Sequence, residues 1–294
     1  MPRRSILSAA ERESLLALPG SRDDLIRRYT LSESDLSVIR QRRGAANRLG
    51  FAVQLCYLRF PGVVLGVDQV PFPPLLHLAA GQLKIPVEHW AEYGTRAQTR
   101  REHLVELQTA FGFEPFTTGH HKLAVQELIE TAMQTDKGIV LANQLVEKLR
   151  QRAILLPRLN AIERVCAEAI TRANRRIYKQ LTDGLTDIHR ERLDQLLTRK
   201  EDSSMTWLGW LRQSPLKPNS KHMLEHIDRL QTWSALDLPS GIERQIHQNR
   251  LLKIAREGGQ MTSADLMKLE RERRYATLVG FLPCSQRRCP KGGV

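Results

Sequence analysis

The sequence has no long hydrophobic run. No apolar stretch approaches the roughly 18 residues that a membrane-spanning helix needs, and the opening "MPRRSILSAAERES" lacks the continuous apolar core of a signal peptide. These absences argue against a membrane partner. We therefore expect a soluble, cytoplasmic chain.

Cysteine is also scarce, with 4 among 294 residues. So few thiols in a chain of this length exclude a disulfide framework. Cys56 and Cys166 lie among apolar residues at helical spacing, which is typical of core thiols. Cys284 and Cys289 have no second pair of ligands nearby, so we expect no zinc site there.

Catalytic motifs are missing as well. The sequence contains no phosphate-binding loop, no nucleotide-binding glycine-rich loop, no nucleophile elbow and no Cys-His zinc pattern. The spacing of the acidic residues does not indicate a metal-binding carboxylate set. We therefore expect no catalytic residue, no metal site and no cofactor.

Acidic residues are absent from one long window. Between residues 36 and 67 there is no Asp or Glu, yet the window contains five arginines. The whole chain carries a formal net charge of +13 and a sequence pI of about 10.0. Such a charge attracts polyanions, and nucleic acid is the first partner to consider.

Apolar residues recur at intervals of three and four along almost the whole chain, and strand-like alternation is scarce. This periodicity predicts an all-α protein. Ser8 with Glu11 has the spacing of a capping box, and Ser21 precedes acidic residues that suit the first turn of a second helix. A further helix should begin after Thr262 and run through "YATLVGFL".

Prolines and glycines in "PGVVLGVDQVPFPP" indicate a boundary. We expect two small helical, helix-turn-helix-like DNA-binding domains followed by a helical bundle or connector. The expected divisions are a first domain at 1–62, a linker at 63–74, a second domain at 75–117, a bundle at 118–282 and a disordered tail at 283–294.

The first candidate DNA-binding segment is "RQRRGAANRLG". Arg40, Arg42 and Arg43 could hold the phosphate backbone, because the guanidinium group matches phosphate oxygens bidentately. Asn47 and Arg48 fall in the first turn of a predicted helix over 45–59, from where side chains can reach base edges. The alternative is a solvated end of a core helix.

The second candidate segment is "YGTRAQTRREH", where a glycine turn precedes a long helix. Polar and basic side chains gather at the start of this helix, whose free backbone amides also attract phosphate. They are Arg96, Gln98, Thr99, Arg100, Arg101 and His103. The alternative is an ordinary basic surface helix. If both segments bind, the connector between them predicts bipartite recognition of one duplex.

Two other function classes stay open. His222, Glu225 and His226 form a His-x-x-Glu-His pattern that some metallopeptidases use, although the same turns read as an ordinary amphipathic helix. The chain could instead be a helical interaction protein whose basic face binds an acidic protein partner.

Three stretches carry a family resemblance. They are "YTLSESDLSVIRQRRGAANRLGFAVQLCYLRFPG" (29–62), "LKIPVEHWAEYGTRAQTRREHLVELQTAFGF" (83–113) and "RERRYATLVGFL" (271–282). They resemble the N-terminal part of the TnpA-type transposases of class II replicative transposons, the "Tn-three" family. The resemblance runs from about residue 1 to Leu282.

The resemblance implies that the helical region binds the terminal inverted repeats of a transposon as double-stranded DNA, in the bacterial cytoplasm and at the nucleoid. The acidic, metal-dependent active site of the family lies in a later domain with an RNase-H-like fold. We therefore expect a truncated transposase that is not an enzyme by itself. A second copy of the chain or an intact transposase is a further candidate partner.

The chain departs from the family after "YATLVGFL", where it continues as "PCSQRRCPKGGV". We expect Pro283 to end the last helix. We interpret residues 283–294 as the aberrant product of a disrupted or truncated reading frame.

Overall fold

The part of the chain that the structure describes consists of helices and loops. The structure is a computed structural model that describes residues 5–66, 69–93, 97–201, 203–213, 219–239 and 241–286. These ranges hold fifteen α-helices and two 3-10 helices, with two isolated β-bridges and no named strand. The all-α prediction is confirmed. Within the same ranges, no helix is both long and apolar enough to cross a membrane.

The helices form two compact units. Unit 1 comprises Met1–Leu128 with Lys137–Ala167, and unit 2 comprises Ile129–Asp136 with Glu168–Val294. Unit 1 contains α1 (Ala9–Leu15), α2 (Arg22–Tyr29), α3 (Glu33–Arg40), α4 (Ala45–Arg59), α5 (Pro73–Leu83), a 3-10 helix (Val87–Glu92), α6 (Ala97–Phe111), most of α7 (Thr118–Gln134), α8 (Gly138–Gln151) and the start of α9 (Leu159–Thr182). Unit 2 contains the rest of α7 and α9, then α10 (Asp187–Gln195), α11 (Trp207–Leu211), α12 (Ser220–Ala235), a 3-10 helix (Ile242–Gln245), α13 (Gln248–Gln260), α14 (Ser263–Met267) and α15 (Arg271–Gln286).

Local capping signals set the first helix starts. The Ser8 hydroxyl accepts the backbone N–H of Glu11, whose carboxylate accepts the backbone N–H of Ser8, so the predicted capping box is confirmed. Ser21 caps α2 as predicted. Each cap satisfies backbone donors that a helix start would otherwise leave unpaired.

Helix α4 lies at the centre of unit 1. Ten consecutive residues, from Leu49 to Leu58, are buried. A helix that is buried on every side needs neighbours around its whole circumference. These neighbours are α2, α3, α5, α6 and the first 3-10 helix.

This arrangement differs from the predicted division into domains. Leu75 of α5 and Leu107 of α6 belong to the same core cluster as Leu49, so residues 1–62 and 75–117 form one unit instead of two. The physical reason is that α2 and α3 alone cannot cover α4. The predicted 118–282 bundle also differs, because its residues are divided between unit 1 and unit 2.

A close approach at Gly50 joins α4 to the segment before α6. A Cβ atom at Gly50 would lie 2.1 Å from ring atoms of Tyr93. Tyr93 is 2% exposed, so its ring is packed directly on the backbone of α4. Only glycine leaves room for this ring.

Unit 2 has its own core, in which α13 packs closely on α15. A Cβ atom at Gly280 would lie 2.6 Å from Cγ2 of Ile254, and one at Gly258 would lie 2.8 Å from Cβ of Phe281. The single helix predicted after Thr262 is two helices, because Thr262 caps only the short α14 and α15 begins at Arg271.

The predicted end of the last helix at Pro283 is wrong, since α15 continues to Gln286. Proline removes one helical hydrogen bond, but it does not force the residues after it out of helical conformation. Leu278 and Leu282 anchor the preceding turns in the core of unit 2. Residues 287–294 of the predicted tail lie outside the described residues.

We predict that Gly50→Ala destabilises the protein by about 1 to 3 kcal/mol, because the new methyl group overlaps the buried Tyr93 ring. Urea unfolding followed by circular dichroism measures this loss. Gly81→Ala is the matched control on α5, where a Cβ meets nothing within 4 Å. It should leave stability unchanged or raise it by up to about 1 kcal/mol. Equal midpoints for Gly50→Ala and the wild type would contradict the packing argument.

Candidate nucleic-acid interface

The turn between α3 and α4 presents the first candidate segment. α3 ends at Arg40 and α4 begins after Gly44, which has a φ of +79°. This backbone conformation favours glycine. The turn leaves the side chains of Arg40, Arg43 and Arg48 exposed.

Two side chains of α4 brace this turn. Arg48 Nε donates to the carbonyl of Arg42 at 2.9 Å, and Asn47 Nδ2 donates to the carbonyl of Arg43 at 3.0 Å. The amide of Asn47 therefore holds the backbone, whereas we predicted that it reads a base. This bond uses one of the two N–H donors of the Asn47 amide, so the predicted contact with a base stays a prediction.

Arg42 differs from the other arginines of the turn. Only 20% of its side chain is exposed, and its guanidinium forms an ion pair with Glu106 of α6. The same guanidinium lies 5.1 Å from the ring centroid of Phe51. Arg42 therefore fixes the turn against α6 instead of facing solvent.

The start of the second candidate segment lies partly outside the described residues, since residues 94–96, including the predicted site residue Arg96, are not described. Gln98 and Arg101 are exposed on α6, and Gln98 Nε2 donates to Glu102 Oε1 at 2.9 Å. Thr99 is half-buried. Of these residues, Gln98 and Arg101 are accessible to a ligand.

Arg100 packs against its own unit. It donates to the carbonyl of Tyr93 at 3.3 Å and to that of Gly66 at 3.4 Å. Its guanidinium carbon lies 5.1 Å from the Tyr93 ring centroid and 5.7 Å from that of Trp90. These contacts make Arg100 an anchor for the start of α6, and the predicted DNA contact of Arg100 stays a prediction.

His103 is buried, with 7% of its surface exposed. Its ring stacks on Tyr93 at 5.7 Å, meets Phe51 edge to face at 5.2 Å and shares a 3.2 Å hydrogen bond with the Tyr93 hydroxyl. His103 therefore lies in the core of unit 1, and its predicted contact with DNA stays a prediction. The helical spacing that places Leu107 in the core places His103 there too.

The two candidate segments meet in unit 1. The Arg42–Glu106 ion pair and the Phe51–His103 contact place the α3–α4 turn beside α6. We call the exposed side chains Arg40, Arg43, Arg48, Gln98 and Arg101 the basic face. Arg40 has one acidic neighbour, Glu33, at 3.8 Å.

Comparison with known protein families gives a match that covers most of unit 1. Residues 6–169, more than half of the chain, match the family described as a domain of unknown function, DUF4158. The chain belongs to this family. The match spans all of the basic face.

Relatives of this DUF4158 member are transposases. It is 74% identical to the transposase for transposon Tn3926 from Escherichia coli, 72% to that for transposon Tn21 from Escherichia coli and 59% to that for transposon Tn501 from Pseudomonas aeruginosa. Each alignment covers 96% of this chain and 28% of the relative, so the chain spans about 28% of the length of these relatives. The predicted resemblance to class II transposases is confirmed.

The His-x-x-Glu-His pattern of this DUF4158 member lies on α12. Glu225 accepts from Arg229 at 3.0 Å and from Trp210 Nε1 at 3.3 Å, and these bonds lower the pKa of its carboxyl. Its distance to Nδ1 of His222 is 3.7 Å. Among the described residues, no group of three or more His, Cys, Asp or Glu could hold a metal ion. Within the pattern, Glu225 joins α12 to Trp210 through this hydrogen bond.

Sequence reasoning missed three positioning residues. Glu106 neutralises Arg42, and Tyr93 orders the start of α6. Asp35, which is 2% exposed, accepts two hydrogen bonds from Arg59 at 2.6 and 2.8 Å. Asp35 lies directly before the acid-free window, so Arg59 at the far end of the window is not an available cation.

We predict that this DUF4158 member loses stability as the pH falls, partly through His103. Burial lowers the pKa of His103, an effect that Arg42 reinforces and Glu106 and Glu102 oppose. The unfolded chain therefore binds more protons than the folded chain as the pH falls below about 6.5, and the stabilising contribution present at neutral pH is lost.

His103→Phe keeps a ring in this position but cannot be protonated. The free energy of unfolding of wild type relative to this variant should fall between pH 7.5 and pH 5.5, measured by urea unfolding. A difference that does not change with pH would contradict the assignment of His103 as a buried neutral group.

Proposed function

We propose that this chain binds double-stranded DNA sequence-specifically at the terminal inverted repeats of a transposon, as the recognition part of a replicative transposase. The observation that carries the proposal is the basic face of unit 1, where exposed arginines of a braced turn lie beside a helix with exposed polar side chains. The formal net charge of +13 and the transposase relatives support it.

The two parts of the basic face suit different contacts. Arg40 and Arg43 project from a turn, where their guanidinium groups fit phosphate oxygens. Gln98 and Arg101 project from a helix that is long enough to lie in the major groove, where arginine matches guanine and glutamine matches adenine bidentately. We infer that the turn holds the DNA backbone and that α6 reads bases.

We also propose that the chain does not cleave or join DNA strands by itself. This proposal is supported by the resemblance stated above, which implies that the metal-dependent acidic site of the family belongs to a later domain. On this view the chain contributes recognition to a reaction whose chemistry belongs to another domain.

We predict at least roughly 10-fold tighter binding to a duplex carrying the terminal inverted repeat of transposon Tn3926 than to a scrambled duplex of equal composition. Fluorescence anisotropy at 150 mM salt measures both dissociation constants. Equal constants would remove the sequence-specific part of the proposal. Binding of neither duplex would overturn the proposal and leave the interaction protein with an acidic protein partner as the alternative.

We predict that two arginine variants behave differently. Arg43→Ala should weaken binding to both duplexes and reduce the slope of log affinity against log salt by about 1, because one phosphate contact is lost. Arg101→Ala should cost about 1 to 3 kcal/mol on the repeat duplex and much less on the scrambled one, because a base contact is lost.

Arg199→Ala is the matched control for this pair, since it removes the same charge from an exposed position in unit 2. Its affinity and salt slope should equal those of the wild type. If all three variants weaken binding equally, net charge and not the basic face controls the affinity.

A further inference from the structure

Val105 is an apolar side chain that does not pack in the core of unit 1. It is 61% exposed, the highest value for a large apolar residue on a described helix of this unit. The buried side of α6 is formed by His103 and Leu107 instead. A β-branched residue is also a modest helix former, so Val105 does not favour α6 through propensity.

The position of Val105 on α6 is defined by helix geometry. It follows Arg101 by four residues, which places the two side chains on the same face and about 6 Å apart along the axis. Arg101, Glu102 and Thr109 are all exposed around it. Val105 is therefore a single apolar group in a polar, outward-facing surface.

We propose that Val105 recognises the methyl group of a thymine in the major groove, one to two base pairs from the base that Arg101 contacts. This inference rests on the proposed function. The thymine methyl is the apolar group that a base pair presents in the major groove, and small apolar side chains contact it. The spacing follows because base pairs rise about 3.4 Å each while Arg101 and Val105 are separated by about 6 Å.

The surroundings of Val105 favour a groove over a protein partner. Protein interfaces are centred on clusters of large apolar or aromatic side chains. Here the neighbours are charged or hydrogen-bonding groups, such as Gln98, whose amide donates to Glu102 at 2.9 Å. One apolar side chain surrounded by polar ones matches the edge of a thymine-containing base pair, which presents one methyl group beside hydrogen-bonding groups.

The test begins with a pool of random duplexes enriched on the wild-type chain. Each thymine of the enriched site is then replaced in turn by deoxyuridine, which lacks only the C5 methyl group. Dissociation constants are measured by fluorescence anisotropy for wild type, Val105→Ser and Val140→Ser. Val140 is the matched control, because it is 41% exposed on α8 of the same unit.

One deoxyuridine position should weaken the wild type and Val140→Ser about four-fold, and Val105→Ser should show no sensitivity at that position. An enriched site at which every deoxyuridine affects all three proteins equally would overturn the inference and leave the proposed function intact. If the wild type enriches no sequence, both are overturned. Circular dichroism checks that both variants remain folded.

Discussion

The contact between Gly50 and Tyr93 determines the geometry of unit 1. Because Gly50 has no side chain, the Tyr93 ring lies directly on the backbone of α4. Burial raises the pKa of Tyr93 to about 12, so its hydroxyl stays protonated. The hydroxyl is bonded to His103, and the Tyr93 carbonyl accepts a bond from Arg100. Tyr93 thus links the start of α6 to the central helix, beside the direct contact between Phe51 and His103.

The burial of α4 also determines which arginines are available. Three of the five arginines in the acid-free window have acidic partners outside it: Arg42 with Glu106, Arg59 with Asp35 and, in an exposed pair at 3.8 Å, Arg40 with Glu33. Losing one partner of a buried or half-buried ion pair costs free energy, so Arg42 and Arg59 stay with their partners, whereas the exposed pair of Arg40 is weak. The arginines that remain available to a ligand are those of the turn whose charge is little neutralised by acidic neighbours, such as Arg43.

The sequence predicted the first helix caps correctly, because the residues that form a cap lie within one helical turn. The capping box of Ser8 and Glu11 is an example. It could not predict the Arg42–Glu106 pair, whose members are separated by 64 positions. His103 is an intermediate case: it lies four residues before Leu107, so its burial could have been inferred from the periodicity of α6. The sequence could not predict that both candidate segments share one core. That depends on which helices cover α4, and no local pattern specifies those neighbours.

The union of both candidate segments in one unit changes how they would cooperate. Two tethered domains would gain affinity from a raised effective concentration, but they would also lose conformational freedom on binding. Here the turn and α6 share a core and an ion pair, so their relative position is set in the chain without a ligand. Phosphate contacts at the turn would then fix the register in which α6 enters the groove. Specificity would depend on that register, since a shift of one base pair moves Arg101 to a different base edge.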